Sequence, residues 1–220
     1  IASCLVGSEM CIRDSIWINP ANHKKFNLNN MFLKNSINKI SKFILNKKYI
    51  NNFDLNDVSI EKLYENSFKR FSEGILINGN VCHTKKDISY FKWRFLKSND
   101  ADYYKLFKIK NSNIQLIIKL NDKNHGNYVS VLTQTFTSSL NDLIKVLSTL
   151  AIWSDNQGFD HINYYTNDLQ LSSKLMREFF SYRAYQNFAF HSYDKSIFDN
   201  LKKTKFHFDF CDSDFEKYYE

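Results

Sequence analysis

Residues 128–165, YVSVLTQTFTSSLNDLIKVLSTLAIWSDNQGFDHINYY, decide the fold of this chain. The stretch predicts a strand, a short polar turn, a long amphipathic helix and a second strand, because period-two spacing of apolar residues gives way to helical spacing at Leu140. The first amides of a helix are unpaired and carry the positive end of its dipole. A helix that opens directly behind a turn is a candidate anion site, so a phosphate-bearing cofactor is the first hypothesis.

The helix is predicted over 139–156 by six aliphatic side chains on one face. They are Leu140, Leu143, Ile144, Leu147, Leu150 and Ala151. Burying them contributes roughly 10 kcal/mol before opposing terms, at ~1.5–3 kcal/mol each. Gly158 is expected just past the end of the helix, where glycine commonly adopts a left-handed conformation. We therefore expect this helix to be central to the core.

Shorter patterns on both sides of this stretch predict the remaining elements. They are helices at 59–73, 87–96 and 168–180 and strands at 103–109, 114–120, 188–191 and 206–210. The first two of these strands form a hairpin around 110–113. This order predicts an α/β (α+β) fold, with a mixed, mainly antiparallel, twisted sheet and helices on both faces.

The positive charge of the chain is confined to one segment. The net charge is +7, but residues 16–50 carry seven lysines and no acidic residue, whereas residues 51–220 carry 22 basic and 21 acidic side chains. A nucleic-acid-binding domain would spread basic residues over its main fold. The distribution therefore indicates a solvated basic segment, and we expect no nucleic-acid partner.

The cysteines and the hydropathy pattern indicate a cytoplasmic protein. The four cysteines have no paired spacing and no neighbouring histidines, which disfavours a zinc site. Unpaired cysteines suit a reducing compartment. No apolar run approaches the roughly 20 residues that span a bilayer. The carboxylates of Asp212, Asp214 and Glu216 are more typical of a solvated segment than of a metal site, so no metal is expected.

The chain is expected to have three parts. Residues 1–15 contain CLVGSEMCIRDS (4–15), which resembles translated sequencing adaptor in metagenomic gene calls; a disordered tail is the alternative. Residues 16–57 are expected to be a basic connector and helix. Residues 58–220 are expected to form the folded domain.

Three features together resemble a group of GNAT acyltransferase-like proteins found among polysaccharide-biosynthesis genes. FKWRF (91–95) resembles a Leu-Asn-Trp-Arg-Tyr run of that group, and FHFDFCDSDFE (206–216) resembles its terminal aromatic strand. The strand–turn–helix–strand between them resembles the acyl-CoA core of the superfamily. Members commonly have two GNAT-like halves, so the resemblance implies that this chain is the second half and that the N-terminal half is missing.

The resemblance implies that acetyl-CoA or another acyl-CoA binds at the turn. The implied cofactor-binding residues are Leu132, Gln134, Thr137, Ser138, Ser139 and Lys145. GNAT enzymes usually have small residues where Thr137 and Ser139 stand, and a β-branched residue with positive φ would be strained. The pattern Ser139-x-x-Asp142 also fits a capping box, in which Asp142 would repel a phosphate. Helix capping and pyrophosphate binding therefore both remain open.

The resemblance further places an amine acceptor where the third and fourth strands separate. His161, Asn163 and Tyr165 share one face of the fourth strand by alternation. Tyr165 is a candidate general acid and His161 a candidate general base for acyl transfer. The alternative for both is a place in the core. Arg94, from the first motif, is expected to pair with an acid such as Asp212 or Asp214; contact with an anionic substrate is the alternative.

Two functions follow as hypotheses. The first is an acyl-CoA-dependent N-acyltransferase that acts on a small amine, such as an amino sugar or amino acid of surface-glycan biosynthesis. The second is a non-catalytic GNAT-like half that packs against a catalytic partner domain.

Overall fold

The structure is a computed structural model of the 220-residue chain. It describes residues 10–18, 55–73, 81–83, 86–122, 127–135, 137, 139–166, 168–177, 181–190, 195–196, 199 and 205–207. The predicted basic helix within 16–50, apart from residues 16–18, lies outside these residues.

The described strands and helices are numbered in chain order. The strands are β1 (Met10–Ile18), β2 (Val58–Lys62), β3 (Val81–His83), β4 (Tyr104–Ile109), β5 (Gln115–Asn121), β6 (Tyr128–Gln134), β7 (His161–Thr166), β8 (Ser181–Phe190) and β9 (Lys205–His207). The helices are α1 (Lys69–Glu73), α2 (Ile88–Phe91), α3 (Leu140–Asn156) and α4 (Leu169–Arg177). A π-helical turn, Lys92–Leu96, continues α2.

One mixed, mainly antiparallel sheet organises the fold. Its strand order is β2-β4-β5-β6-β7-β1-β8, and β3 and β9 form a separate parallel pair. In the seven-stranded sheet β6 and β7 are parallel, whereas the other neighbours are antiparallel. The prediction of a mixed, mainly antiparallel sheet is confirmed.

Two hydrophobic clusters cover the two faces of this sheet. The first lies between α3, α4 and one face, and includes Val129, Leu147 and Ile162. The second contains aromatic side chains from the segment 68–95 against the opposite face. Adjacent residues of each strand point to opposite sides of the sheet, so both faces carry apolar side chains. Helices pack on both of these faces.

The α3 region agrees closely with its prediction. Ser139 is the N-cap, and Gly158 follows the last turn with φ +84°. Glycine has no Cβ and adopts this left-handed conformation without strain, so Gly158 directly after the C-cap Gln157 allows the chain to leave the helix, whose last residue is Asn156.

The helix predicted over 59–73 is wrong in its first half. Val58–Lys62 is strand β2, which pairs with β4, and only Lys69–Glu73 is α-helical. Val58 and Ile60 pack against the first cluster. The open edge of β4 satisfies the backbone groups of β2, and this tertiary pairing overrides a helical spacing of apolar residues.

The N-terminal segment forms part of the sheet. Strand β1 lies between β7 and β8, and its first six residues belong to the segment 1–15 that we expected to be an artefact or a tail. Residues 188–190 of the strand predicted at 188–191 belong to the longer β8, and Lys205–His207 begins one residue before its prediction at 206–210. Residues 191 and 208–210 lie outside the described residues.

Candidate functional site

Backbone pairing between the parallel strands β6 and β7 stops partway along their length, and we call the unpaired part the gap. The described ladder joins Tyr128 to His161, Val129 to Ile162 and Ser130 to Asn163, and ends there. Beyond this point β6 continues in register with β5, and β7 continues in register with β1. The described β6–β7 ladder therefore does not extend to residues 131–134.

A β-bulge in β6 lies at the start of this gap. Val131 pairs with Ile118 and Thr133 pairs with Ile117, so Leu132 is an extra residue on its strand. A bulge leaves a residue unpaired in the ladder and bends the strand, and bulges are frequent beside active sites. The side chain of Leu132 is buried in the second cluster, so only its main chain is available to a ligand.

A side-chain hydrogen bond crosses the gap. The Tyr164 hydroxyl donates to Gln134 Oε1 at 2.9 Å. Gln134, one of the predicted cofactor residues, is thus held by β7. This bond connects the two strands where their backbones no longer pair.

The N-terminus of α3 follows β6 after a short turn. Ser139 Oγ accepts from the Asp142 amide at 3.3 Å, and Ser139 N donates to Thr137 Oγ1 at 3.1 Å. These bonds satisfy two of the donors that a helix start leaves unpaired. The amides of Leu140 and Asn141 have no hydrogen-bond acceptor within the described part of the chain.

An acidic side chain occupies the first turn of α3. Lys145 Nζ contacts Asp142 Oδ1 at 3.3 Å. Hydrogen bonding from the Ser139 side chain, and then from Lys145, holds the pKa of Asp142 below its ordinary value. Asp142 is thus ionised at neutral pH, and its negative charge lies at the positive end of the helix dipole.

The turn accommodates threonine without a left-handed backbone. Among the described residues, positive φ occurs only at Asn111, Asn127 and Gly158, so Thr137 is free of the strain that we anticipated. Ser138 lies outside the described residues.

The two predicted catalytic residues are on one face of β7 but are not brought together. Tyr165 is buried in the second cluster. The His161 ring stacks on Tyr128 with 5.1 Å between ring centroids. Four residues of extended strand separate their Cα atoms by about 13 Å. Tyr165 lies beside the gap, whereas His161 lies where β6 and β7 are still paired.

Asn163 was not selected as a site residue from the sequence, and it is the last residue of the β6–β7 ladder. It is 4% exposed, and its side-chain oxygen has no hydrogen-bond partner in the described structure. The sequence signal that could have identified Asn163 is its place between His161 and Tyr165 in the alternation of one strand face.

The FKWRF motif lies on α2 and the π-turn. Trp93 is exposed and Arg94 is buried. The proposed acidic partners of Arg94, Asp212 and Asp214, are outside the described residues.

Comparisons with known proteins identify no family. Neither the family models nor the curated proteins give a match to this chain. In the residues that the structure describes, no helix has the length and apolar character needed to cross a bilayer. The same residues contain no group of three or more His, Cys, Asp or Glu side chains placed to hold a metal ion.

Proposed function

We propose that this chain is a GNAT-like, acyl-CoA-dependent N-acyltransferase that acts on a small amine. The observation that carries the proposal is the gap between β6 and β7, which opens at the bulged Leu132 and lies beside the N-terminus of α3. An extended ligand with amide groups can pair with the main chain at the bulged Leu132, as a further strand would. The acceptor class, an amino sugar or amino acid of surface glycans, rests on the family resemblance.

The start of α3 fits one phosphate group. The Leu140 and Asn141 amides provide two donors at the positive end of the helix. The carboxylate of Asp142 opposes an anion there, and its contact with Lys145 only partly offsets this repulsion. We therefore expect weak binding of the pyrophosphate compared with a glycine-bearing turn.

The transfer forms a C–N bond between the amine and the acyl carbon and breaks the C–S bond of the thioester. Tyr165, beside the gap, is the residue we assign to protonate the departing thiolate. His161 is the residue we assign to accept the amine proton. Because about 13 Å separates the two Cα atoms, the proton would reach His161 through water.

A non-catalytic half-domain is the second candidate, and a specific observation favours it. Gln134 is bonded to Tyr164, Ser139 caps its helix and Lys145 contacts Asp142. The polar side chains of the turn are thus engaged within the chain. In that case the gap is a structural feature of a domain that packs against a catalytic partner.

Isothermal titration of the full chain with acetyl-CoA tests the proposal. Asp142→Asn removes a negative charge close to the phosphates, so we expect its Kd to fall about three- to tenfold, equivalent to roughly 0.6–1.4 kcal/mol. Asp102→Asn removes an exposed carboxylate far from α3 in sequence and is the matched control. If neither the parent chain nor Asp142→Asn binds acetyl-CoA, the acyltransferase proposal is wrong and the half-domain is favoured.

A further inference from the structure

Two rows of side chains cross one face of β5, β6 and β7 where β6 and β7 are still paired. The row beside the gap is Lys119, Ser130 and Asn163, and the next row is Asn121, Tyr128 and His161. We call them the polar rows. Alternation along β7 places them on the same face of the sheet as Tyr165. This face therefore changes from polar to apolar at the point where the ladder ends.

Two members of the polar rows make hydrogen bonds with described partners. Asn121 Nδ2 donates to the Tyr128 carbonyl at 3.2 Å and to Ser130 Oγ at 3.5 Å. Lys119 Nζ donates to the Asp100 carboxylate at 3.1 Å, and the two form an ion pair. The hydrogen-bonding capacity of these groups is thus used at least in part within the chain.

Asn163 differs from these neighbours. Its side chain is 4% exposed, and its Oδ1 atom has no hydrogen-bond partner in the described structure. A buried acceptor without a partner lowers stability and requires an explanation. Two residues of extended strand, about 7 Å between Cα atoms, separate Asn163 from Tyr165 on one side and from His161 on the other. The open acceptor therefore lies between the two residues that we assign to proton transfer.

The chemistry of an amide oxygen suits an amine nucleophile. It accepts a hydrogen from N–H and carries no net charge. A carboxylate in its place would favour the ammonium form of the ligand and raise the pKa of the amine. An amine must be deprotonated before its lone pair can attack an acyl carbon. A neutral acceptor at position 163 therefore holds the amine without opposing the loss of its proton.

The polar rows also favour one class of amine. An amino acid carries a carboxylate, which is bound well only by a cationic side chain. Lys119 is the lysine of the polar rows, and its ammonium group already contacts Asp100. The neutral side chains of Ser130 and Asn121 can instead exchange hydrogen bonds with hydroxyl groups. This composition favours an amino sugar over an amino acid.

We propose that Asn163 Oδ1 accepts a hydrogen bond from the amine of an amino-sugar substrate and holds this amine between Tyr165 and His161. The inference rests on the proposed acyltransferase function for its chemistry, although the binding itself requires no acyl-CoA. The oxygen engages one N–H, and the lone pair of the nitrogen stays available to the acyl carbon. Because Asn163 is buried in the free chain, the amine enters from the gap.

Titration of the full, ¹⁵N-labelled chain with glucosamine tests the proposal by NMR. The side-chain amide signals that are missing from Asn163→Leu identify Asn163, and glucosamine should shift them in the parent chain. We expect Asn163→Leu to raise the Kd for glucosamine about three- to tenfold, the effect of one lost hydrogen bond. Asn163→Ala removes the oxygen without adding bulk and should give the same loss, which separates hydrogen bonding from steric blocking.

Ser148→Ala is the matched control variant. It also removes a buried polar atom without a described partner, but from α3, which packs on the opposite face of the sheet. Its Kd for glucosamine should stay within twofold of the parent value. Glucose, which lacks the amine, and alanine, which has a carboxylate, are the matched ligands. Both should bind at least threefold more weakly than glucosamine.

The outcomes separate this inference from the acyltransferase proposal. The inference is overturned if the parent chain does not bind glucosamine, if glucose or alanine binds as well, or if the Asn163 variants keep the parent Kd. If acetyl-CoA binds in a separate titration, such a result leaves the acyltransferase proposal standing. Conversely, glucosamine binding that depends on Asn163, without binding of acetyl-CoA, would retain the amine site and refute the acyltransferase.

Discussion

Removal of the Ser139 hydroxyl measures how the start of α3 is stabilised. Ser139→Ala deletes the oxygen that accepts the Asp142 amide at 3.3 Å. Loss of an N-cap costs about 0.5–2 kcal/mol. Because this bond is at the long end of the usual range, we expect about 0.5–1 kcal/mol. The helix packs Leu143 and Leu147 into the first cluster, so the loss should appear in global unfolding.

The expected change is measurable by denaturation. For a chain of this size, 1 kcal/mol shifts Tm by about 2–4 °C, so Ser139→Ala should lower Tm by roughly 1–4 °C. The pKa of Asp142 is lowered in the folded state, with Ser139 as the largest cause. Stability from this group is present above the unfolded pKa and is lost as pH falls through the folded pKa. The difference between parent and variant should therefore shrink in acid.

Thermal unfolding gives Tm, and urea unfolding gives the midpoint; both are followed by circular dichroism at neutral pH and in acid. Ser148→Ala is the matched control, because it removes a buried hydroxyl from the same helix that has no described hydrogen-bond partner. That control should leave the midpoint unchanged or raise it. An unchanged urea midpoint for Ser139→Ala at neutral pH would refute the capping role of Ser139. The Asp142 amide would then have another hydrogen-bond acceptor, such as water.

Two further substitutions test other parts of the fold. Asn163→Leu replaces a buried, unpartnered amide oxygen by apolar volume; since such a group costs about 1–3 kcal/mol, we expect a higher urea midpoint, and a lower one would mean that the oxygen is satisfied. Phe95→Ala removes a ring that lies 5.1 Å from Tyr104 and 6.1 Å from Phe91, between centroids, and should destabilise by about 3–5 kcal/mol in the same assay. A loss below 1 kcal/mol would show that the second cluster contributes little to global stability.

The elements that the sequence predicts correctly are those in which one apolar pattern repeats over many consecutive residues. The seventeen residues of α3 repeat one apolar face over several turns, and both Ser139 and Gly158 carry terminal signals. Apolar spacing gave the wrong element at Ile60, because a five-residue strand and a single helical turn can show similar spacing of apolar residues. Only the pairing of β2 with β4 decides between them.

The features that define the candidate site depend on contacts between distant residues. The bulge at Leu132 is set by the register of β5 against β6, which no short window of sequence contains. The bond from Tyr164 to Gln134 joins residues 30 positions apart. Sequence could therefore place the turn and its helix, but it could not show which backbone groups the gap leaves open.

The gap between β6 and β7 is built into the sheet. Fraying would leave both strands loose, yet β6 is held by β5 and β7 by β1 along the very residues that no longer pair with each other. Backbone groups inside a sheet are costly when they have no partner, so a place where a ladder stops requires other hydrogen bonds. The bond from Tyr164 to Gln134 joins the two strands where their ladder has ended, and a ligand that bound there would add stability according to its affinity.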